Sequence, residues 1–312
     1  MGPWLDEPRA RIAAAHAAGH MPHALLIHAA QGTGGGDLAA WAAQVVLCER
    51  GGPCGECAGC RRAALGQHPD LTRVGLLEDS QQIRIEQIRE LGLELALTSH
   101  AGGYKVAIID PADTLNRYAA NALLKTLEEP PARTLIVLVA AQPSRLPPTL
   151  SSRCLRVHVR APTRAESLAW LERARGPGDW GAVLDVTGEA PVAAAALDPA
   201  AVGKLRDETW DGLRDVTAGK ADPARLAEHW SRSELPLRLT CIENWLTDRI
   251  RRTLAGPEPH GARAGANPSR RGPTDARTLF ERLDDVRGLK AALTAPINRS
   301  LALESLLRSW PA

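Results

Sequence analysis

Two stretches near the start of the chain have residue types and spacings suited to chemistry. The first is the glycine-rich run 31–36, which lies between a short apolar run and a helix-prone segment. The order of strand, glycine loop and helix is the context in which backbone N–H groups bind phosphate. The second is a set of four closely spaced cysteines. Four thiolates can hold one tetrahedral metal ion, so the sequence predicts a phosphate-loop fold and a metal module.

The glycine loop lacks the side chains that nucleotide hydrolysis requires. When Gly34 is aligned with the last glycine of G-x-x-x-x-G-K-[ST], Gly35 stands in place of the lysine that contacts the phosphates. Gly36 stands in place of the hydroxyl that holds Mg²⁺, and Ala29 replaces the first glycine. We therefore expect the loop that contains Gly32 to keep a tight turn and to bind no nucleotide productively.

The cysteines Cys48, Cys54, Cys57 and Cys60 form the pattern C-x5-C-x2-C-x2-C. This spacing favours a structural Zn²⁺ site with four thiolate ligands. Disulfides are the alternative in an oxidising compartment, and a redox C-x-x-C pair is another, but a redox pair leaves the remaining cysteines unexplained. His68 is near enough in sequence to be a ligand, yet a complete cysteine set leaves it no position, and we expect a loop or core histidine.

An acidic residue lies at the end of the predicted strand 105–110. Asp110 ends this apolar run, where a carboxylate would help to hold Mg²⁺ in an ATPase. The next residue would be the glutamate that activates water, and it is Pro111. Proline is neither an acid nor a base, so the general base is missing as well. Asp113 is a possible substitute, although we expect it to cap a helix.

Alternating strand and helix patterns position these residues. Apolar runs predict strands over 24–28, 71–74, 105–110 and 134–140, and helical patterns predict helices over 37–47, 83–97 and 119–131. This alternation predicts an α/β fold with a parallel sheet. Beyond residue 160 the strand patterns stop, and helical spacing appears in 165–174, 224–230, 235–254 and 278–293. The carboxyl half is therefore expected to be all-helical.

The composition excludes several classes of protein. The chain has 38 Lys plus Arg and 36 Asp plus Glu, a formal charge of +2, so it does not act through a strong basic field. One Phe and two Tyr make stacking of bases on aromatic platforms an unexpected mode of action. No run is long and apolar enough for a membrane span and the first ten residues lack a signal-peptide core, which predicts a cytoplasmic protein with no membrane contact. Cys154 and Cys241 are isolated and are expected to be buried as small apolar residues.

Three motifs carry a resemblance to a known family. They are ANALLKTLEEPP at 120–131, the Leu-Pro pair at 146–147 and Ser-Arg-Cys at 152–154. Together they resemble the AAA+ clamp-loader subunits of bacterial DNA polymerase III, which share the four-cysteine insertion after the first helix. The resemblance is strongest over 21–159 and returns in INRSLALESLLRSW at 297–310.

The resemblance implies an architecture. Residues 1–160 are expected to form an AAA+ RecA-like domain with a parallel sheet, interrupted by a zinc module at 48–60. Residues 161–200 are expected to form a small helical lid, and residues 201–312 an all-helical collar that contacts neighbouring subunits. Apolar helix faces in that last part would serve both the domain core and the oligomer contacts.

The family contains two similar kinds of chain, one that hydrolyses ATP and one with a degenerate loop. This sequence resembles the second kind. In the segment 187–196, which is similar to the family's sensor segment, Pro191 stands where the ATPase subunits have an arginine that senses phosphate. The resemblance thus implies Zn²⁺ as the structural cofactor and no functional ATP site at Gly32, Gly34, Gly35, Gly36 and Asp110.

Arg153 is the residue expected to act in catalysis, by the same resemblance. The family's Ser-Arg-Cys motif faces the nucleotide bound by the adjacent ATPase subunit. A planar guanidinium can stabilise the charge that develops on a transferred phosphoryl group. A salt-bridged surface arginine is the alternative interpretation of Arg153.

The resemblance also implies partners. These are the gamma/tau ATPase subunits and the delta subunit of the clamp loader, with the sliding clamp and primer-template DNA reached through the complex. The chain is then no enzyme by itself, although it is a subunit of the polymerase holoenzyme. An active gamma/tau-like ATPase and an independent zinc-containing nucleic-acid-binding protein remain as alternatives. The arginines of the Gly- and Pro-rich stretch 255–273 and of the residues before it either touch DNA phosphates or stay solvated; they are Arg249, Arg251, Arg252, Arg263, Arg270 and Arg271.

Overall fold

The computed structural model of the chain describes residues 1–78, 80–255, 276–293 and 297–310. Arg263, Arg270 and Arg271, to which a DNA contact was ascribed as one alternative, lie outside the described residues. The described chain divides into two compact units. The first contains residues 1–174 and 190–193, and the second contains residues 175–189 and the remainder from 194 onwards.

A five-stranded parallel sheet forms the centre of the first unit. The strands are β1 (Ala24–His28), β2 (Leu71–Val74), β3 (Lys105–Ile109), β4 (Thr134–Ala140) and β5 (Leu155–His158), in the order β2-β3-β4-β1-β5. All seven residues of β4 are buried, as expected of a central strand covered on both faces. The predicted α/β fold with a parallel sheet is confirmed.

Helices cover both faces of this sheet. They are α1 (Asp6–Ala17), α2 (Gly35–Leu47), α3 (Ala58–Ala64), α4 (Ile85–Ala96), α5 (Arg117–Glu128), α6 (Pro148–Ser151) and α7 (Arg164–Arg175). Successive side chains of β1 point to opposite faces, so Leu25 and Ile27 pack in the core beneath α1 and α2. Leu26 packs in a separate core with residues of α4 and α5. Because a core lies on each face of the sheet, the central strands are continuous apolar runs.

The second unit is helical throughout its described residues. Its helices are α8 (Trp180–Thr187), α9 (Pro191–Ala194), α10 (Pro199–Thr217), α11 (Pro223–Ser231), α12 (Leu235–Ala255), α13 (Ala276–Ala292) and α14 (Arg299–Arg308), of which α9 begins within the first unit. Side-chain oxygens of Asp198, Asp222 and Asn298 cap the first turns of α10, α11 and α14. Leucines from α11 to α14 form one core. The predicted all-helical carboxyl part is confirmed, while the three-domain division with boundaries after 160 and 200 stays a prediction.

No helix in the described part of the chain combines the length and the apolar character needed to cross a lipid bilayer. The cytoplasmic location stays a prediction.

Candidate functional site

The glycine loop joins the end of β1 to the start of α2 at the carboxyl edge of the sheet. Gly34 is the N-cap of α2 and has φ 97°, and Gly32 has φ 71°. Both angles lie in the left-handed region, which residues with a Cβ adopt only at an energetic cost. The loop therefore keeps the tight strand-to-helix turn of a phosphate-binding loop.

Other parts of the same unit contact this loop closely. The indole N–H of Trp4 donates a hydrogen bond to the Thr33 carbonyl at 2.7 Å. The backbone N–H of Val192 donates to the Gly32 carbonyl at 2.9 Å. A Cβ added to Gly32 would lie 2.7 Å from the Cβ of Ala190, so this side of the loop is filled by the residues around Pro191. The segment around Pro191 thus packs directly on the glycine loop.

Gly35 and Gly36, which stand in place of the lysine and the hydroxyl of the motif, have different close neighbours. A Cβ on Gly35 would lie 2.7 Å from the Cβ of Ala29 and 2.9 Å from Cγ1 of Val139, which leaves no room for a longer side chain. A Cβ on Gly36 would lie 2.8 Å from Oδ2 of Asp110. Gly36 therefore faces Asp110, as the motif alignment requires of a hydroxyl and a carboxylate that share Mg²⁺. The carboxylate is in place and the hydroxyl is missing.

Two carboxylates, those of Asp110 and Asp113, lie just beyond the end of β3. Burial raises the pKa of Asp110, the nearby charge of Arg73 opposes that shift, and Asp113 adds to it. Pro111 follows Asp110 directly. Asp113 accepts a hydrogen bond from the backbone N–H of Gln142 at 2.9 Å and has no capping bond to its own helical turn, so the predicted helix cap is wrong. The side chain ties the end of β4 to the segment after β3 instead.

The four cysteines converge on one point beside the end of α2. The sulfur atoms of Cys48, Cys54, Cys57 and Cys60 all lie within 4.8 Å of one another. The Cys48–Cys54 separation is 3.7 Å, and the Cys48–Cys57 and Cys54–Cys60 separations are each 3.9 Å. Zn–S bonds of about 2.3 Å in a tetrahedron place sulfur atoms roughly 3.8 Å apart. The donor set therefore fits a structural Zn²⁺ ion.

Backbone N–H groups stabilise sulfur atoms of this cluster as thiolates. Burial raises the pKa of Cys48, but hydrogen bonds from the backbone of Cys54, Arg50 and Gly52 outweigh it and lower the pKa to about 6. Burial and the adjacent thiols raise the pKa of Cys60 to about 12 in the absence of a metal ion. A bound cation would reverse the shift at Cys60, because it favours the deprotonated ligand.

His68 lies outside the cluster and serves the loop that follows α3. Its side chain is 6% exposed, and its Nδ1 accepts a hydrogen bond from the backbone N–H of Asp70 at 3.1 Å. Burial lowers its pKa. The prediction of a core histidine is confirmed. Cys154 and Cys241 are also buried, as predicted, and burial raises the pKa of each to about 11.

Arg153 lies in the turn between α6 and β5. Its Nη1 donates to the carbonyl of Thr149 at 2.9 Å, and its Nη2 pairs with Oε1 of Glu128 at 2.7 Å. The side chain of Arg153 is 37% exposed, and that of Glu128 is 49% exposed. The guanidinium therefore lies at the surface in an ion pair that solvent can reach. Its predicted role toward a neighbour's nucleotide stays a prediction.

The comparisons with known proteins identify the family. The family model described as "DNA polymerase III, delta subunit" matches residues 6–163. DNA polymerase III subunit delta' of Pseudomonas aeruginosa is 34% identical, over 92% of this chain and 91% of that protein. The chain belongs to the delta-prime family of DNA polymerase III subunits. The predicted resemblance to clamp-loader subunits of the degenerate-loop kind is confirmed in this form.

Other proteins are similar to part of this chain or share its fold. DNA polymerase III subunit tau of Escherichia coli is 36% identical over 46% of this chain and 22% of that protein. A gamma subunit-related protein from Thermotoga maritima has a TM-score of 0.53 at 17% identity, covering 98% of this chain and 99% of that one. At this identity the likeness shows the fold alone. Proteins named as delta-prime and as tau subunits of DNA polymerase III are thus both similar to this chain.

Sequence reasoning missed the contacts that close the loop. Trp4 and Thr33 are 29 residues apart, and although Thr33 lies in the glycine loop, Trp4 belongs to no motif. Val192 and Ala190 lie in the segment 187–196, which the sequence singles out only for Pro191. An apolar segment at that position is a weak signal by itself, and only the fold shows that it packs against Gly32.

Proposed function

We propose that this member of the delta-prime family acts in the clamp loader without hydrolysing ATP itself and supplies Arg153 to the ATP site of an adjacent gamma/tau subunit. In this role the chain supports the ATP-driven placement of the sliding clamp on primed DNA. Its proposed partners are the gamma/tau ATPase subunits and the delta subunit. The observation that carries the proposal is the close packing around the glycine loop. No lysine side chain fits at Gly35, and the backbone N–H of Val192 donates a hydrogen bond to the Gly32 carbonyl.

Charge at the start of α2 supports the absence of nucleotide binding. A polyphosphate needs cations or Mg²⁺ at the loop. Asp37 lies in the first turn of α2, and Oδ2 of Asp110 lies 2.8 Å from the Cβ position of Gly36. With a glycine in place of the lysine at position 35, the loop offers no side-chain cation to a triphosphate, and the Asp37 carboxylate opposes its negative charge.

The exposure of Arg153 is compatible with a role in trans. To contact a phosphoryl group, its guanidinium must exchange Glu128 for phosphate oxygens. Exposed ion pairs contribute only about 0–1 kcal/mol, so this exchange has a small energetic cost. The bond from Nη1 to the Thr149 carbonyl can remain and hold the arginine at the turn. Arg153 would then present a planar, permanently charged group to the developing phosphoryl charge.

The zinc module is proposed to have a structural role. The sulfur atoms of the four cysteines saturate a tetrahedral ion and leave no open position for chemistry. The ion would fold a short segment that has little apolar core of its own. Cys57 also caps α3, because its sulfur atom accepts a hydrogen bond from the backbone N–H of Cys60. The module thus joins α2 to α3.

Two measurements test the proposal. Calorimetric titration of the isolated chain with MgATP should show no binding, whereas an active ATPase would bind it tightly. Mixing the chain with gamma/tau and delta subunits should give a complex by gel filtration that hydrolyses ATP in the presence of primed DNA and the clamp. Tight MgATP binding would support the ATPase alternative. Failure to assemble would support an independent zinc-containing protein.

A further inference from the structure

A cavity of about 430 Å³ lies in the first unit at the ends of β1 and β5, beside α6. None of the glycines of the degenerate loop lines it. Its walls combine apolar side chains, including Leu26 and Leu146, with a small set of polar groups. This volume and this mixture are typical of sites that bind small ligands or single groups of larger ones.

Strand pairing brings the polar groups of this cavity together. In the parallel register of β1 and β5, Leu26 is opposite Arg156 and His28 is opposite His158. Residues two apart on a strand share a face, so Arg156 and both histidines project from the same side of the sheet. The imidazole ring centroids are 4.9 Å apart. Below them Leu26 is buried in the core, whereas Arg156, His28 and His158 are exposed.

The charge of the cavity is of one sign. Arg156, His28 and His158 line it together with the hydroxyls of Ser144 and Ser151, and no aspartate or glutamate is among its lining residues. Within the described ranges, no carboxylate pairs with the Arg156 guanidinium.

The neighbouring arginines differ in this respect. Arg153 pairs with Glu128 at 2.7 Å, and Arg160 pairs with Glu166 at 2.5 Å. Arg156, between them in sequence, instead lines the acid-free cavity with the two histidines. The cavity therefore presents a concentrated set of hydrogen-bond donors with no acceptor of opposite charge.

From this juxtaposition we infer that the β1–β5 cavity binds a phosphate group, either free in solution or carried by a nucleotide or a nucleic-acid backbone. A guanidinium fork, two imidazole N–H groups and two hydroxyls supply donors from several directions. Such a set suits the several oxygens of a tetrahedral phosphate. Because Arg156 and both histidines are exposed, a phosphate group can reach them from solution.

A transition-metal site is the competing interpretation of paired histidines. Imidazole nitrogens are good ligands for Zn²⁺, Ni²⁺ and Cu²⁺. A metal held here would lie beside the positive charge of Arg156, and the cavity offers no carboxylate or thiolate to complete the coordination sphere. Both features favour an anion over a cation.

Histidine NMR spectra of the full chain test this inference. We expect inorganic phosphate to shift the imidazole signals of His28 and His158, assigned with His28→Gln and His158→Gln, with a Kd on the order of 1 mM. Arg156→Gln should weaken binding about tenfold, because it removes the charged fork. The matched control is Arg145→Gln, which removes the same charge from an exposed residue in the adjacent turn that does not line the cavity.

The same titration separates the possible sources and the opposing results. A short single-stranded oligonucleotide that shifts the same signals, with the same loss in Arg156→Gln, identifies a nucleic-acid backbone as the source. Shifts with inorganic phosphate or a mononucleotide alone identify a small ligand. Equal responses of the Arg156→Gln and Arg145→Gln variants, or no shift in wild type, would overturn the inference. Binding of Ni²⁺ to both histidines that strengthens in Arg156→Gln, without a phosphate response, would also overturn it.

Discussion

The glycine loop and the Arg153 turn both resemble parts of an ATPase, and they are built in opposite ways. The loop keeps its backbone shape, and residues from distant parts of the chain pack on it: Trp4 and Val192 donate to its carbonyls and Ala190 packs on Gly32. The Arg153 turn keeps one side chain, and that side chain remains at the surface.

The difference teaches where each function can reside. The residues that pack against the loop are held in place by the fold, and such packing is not undone by thermal motion of one side chain. An exposed guanidinium in a solvated ion pair is free to change partners. The proposed role in a neighbour's site therefore rests on the turn, and the proposed lack of ATP binding rests on the loop.

The most direct way to break this comparison is Arg153→Ala. We expect hydrolysis at the ATP site that Arg153 faces to fall by roughly 10³-fold, because trans-acting arginines contribute about that much or more. Arg153→Lys should fail too, since a point charge does not reproduce the planar fork. The measurement is single-turnover ATP hydrolysis by the reconstituted complex, with assembly checked by gel filtration.

A matched control for this prediction is Arg145→Ala, an exposed arginine of the same segment. Glu128→Gln sharpens the test, because it removes the resting partner of Arg153 and should leave hydrolysis near the wild-type rate. An unchanged rate in Arg153→Ala would remove the turn from the mechanism.

A substitution in the cysteine module tests whether the glycine loop, at the start of α2, depends on the module at the end of α2. Cys60→Ser should reduce bound zinc from about one ion per chain toward zero and lower the stability of the module by about 3 kcal/mol, a large effect for one substitution. Gly59 lies against the Leu47 carbonyl, so we expect hydrogen exchange to rise at the end of α2. Metal analysis and exchange mass spectrometry measure both effects.

Cys241→Ser is the control, because this cysteine is buried in the second unit and lies far from the cluster in sequence. It should retain the zinc. The Arg153 turn should be unaffected by Cys60→Ser, so a loss of exchange protection there would show that the two regions are coupled.

Much of the first unit was predictable from local patterns. The bounds of β1, β2 and β4 agree with the predicted strands. Strands β1 and β4 are apolar along nearly their whole length, as expected of buried parallel strands, whereas β2 contains Thr72 and Arg73. Strand β5 was not predicted, since three of its four residues are exposed and its sequence LRVH has no apolar run. Helix α10 was also missed; its buried residues, such as Val202 and Leu213, are interspersed with glycine and charged residues.

The site was predictable where it depends on residue type, and not where it depends on contacts between distant segments. The cysteine cluster follows from spacing alone, and its four sulfur atoms do converge. The missing lysine is read directly at Gly35. The closure of the loop by Trp4 and Val192 depends on the tertiary fold, which brings segments far apart in sequence together. The His28–His158 pair likewise follows from strand register, which no local pattern specifies.

Restoring the motif tests whether the loop is filled or only lacks its side chains. We expect Gly35→Lys/Gly36→Thr to bind no MgATP, because the new Cβ at Gly35 would lie 2.7 Å from Ala29 and 2.9 Å from Val139. Forcing it in should destabilise the chain by about 1–3 kcal/mol. Calorimetry measures the binding and urea denaturation the stability.

The single variant Gly36→Ser is the control for this experiment, since its side chain would meet only Asp110. It should be tolerated better than the double variant and should not bind MgATP either. Micromolar binding by the double variant would mean that side chains, and not packing, were all that the loop had lost.

The smallest expected effect concerns the anchor of the loop. Trp4→Phe keeps an aromatic ring in the buried position, where the ring centroids of Trp4 and Trp170 are 5.5 Å apart. It removes the N–H that donates to the Thr33 carbonyl. We expect a loss of about 1 kcal/mol, since the carbonyl is left without this donor. The urea midpoint should fall with an unchanged m-value.

Trp230→Phe is the matched control, because this tryptophan is also 2% exposed and lies in the core of the second unit. Both substitutions remove similar ring area, so the excess loss in Trp4→Phe reports the hydrogen bond to the loop. An equal loss in the two variants would mean that the left-handed glycines Gly32 and Gly34 hold the turn without the anchor. The filled shape of the loop would then be a property of its backbone, and the contact from Trp4 would be a consequence of that shape.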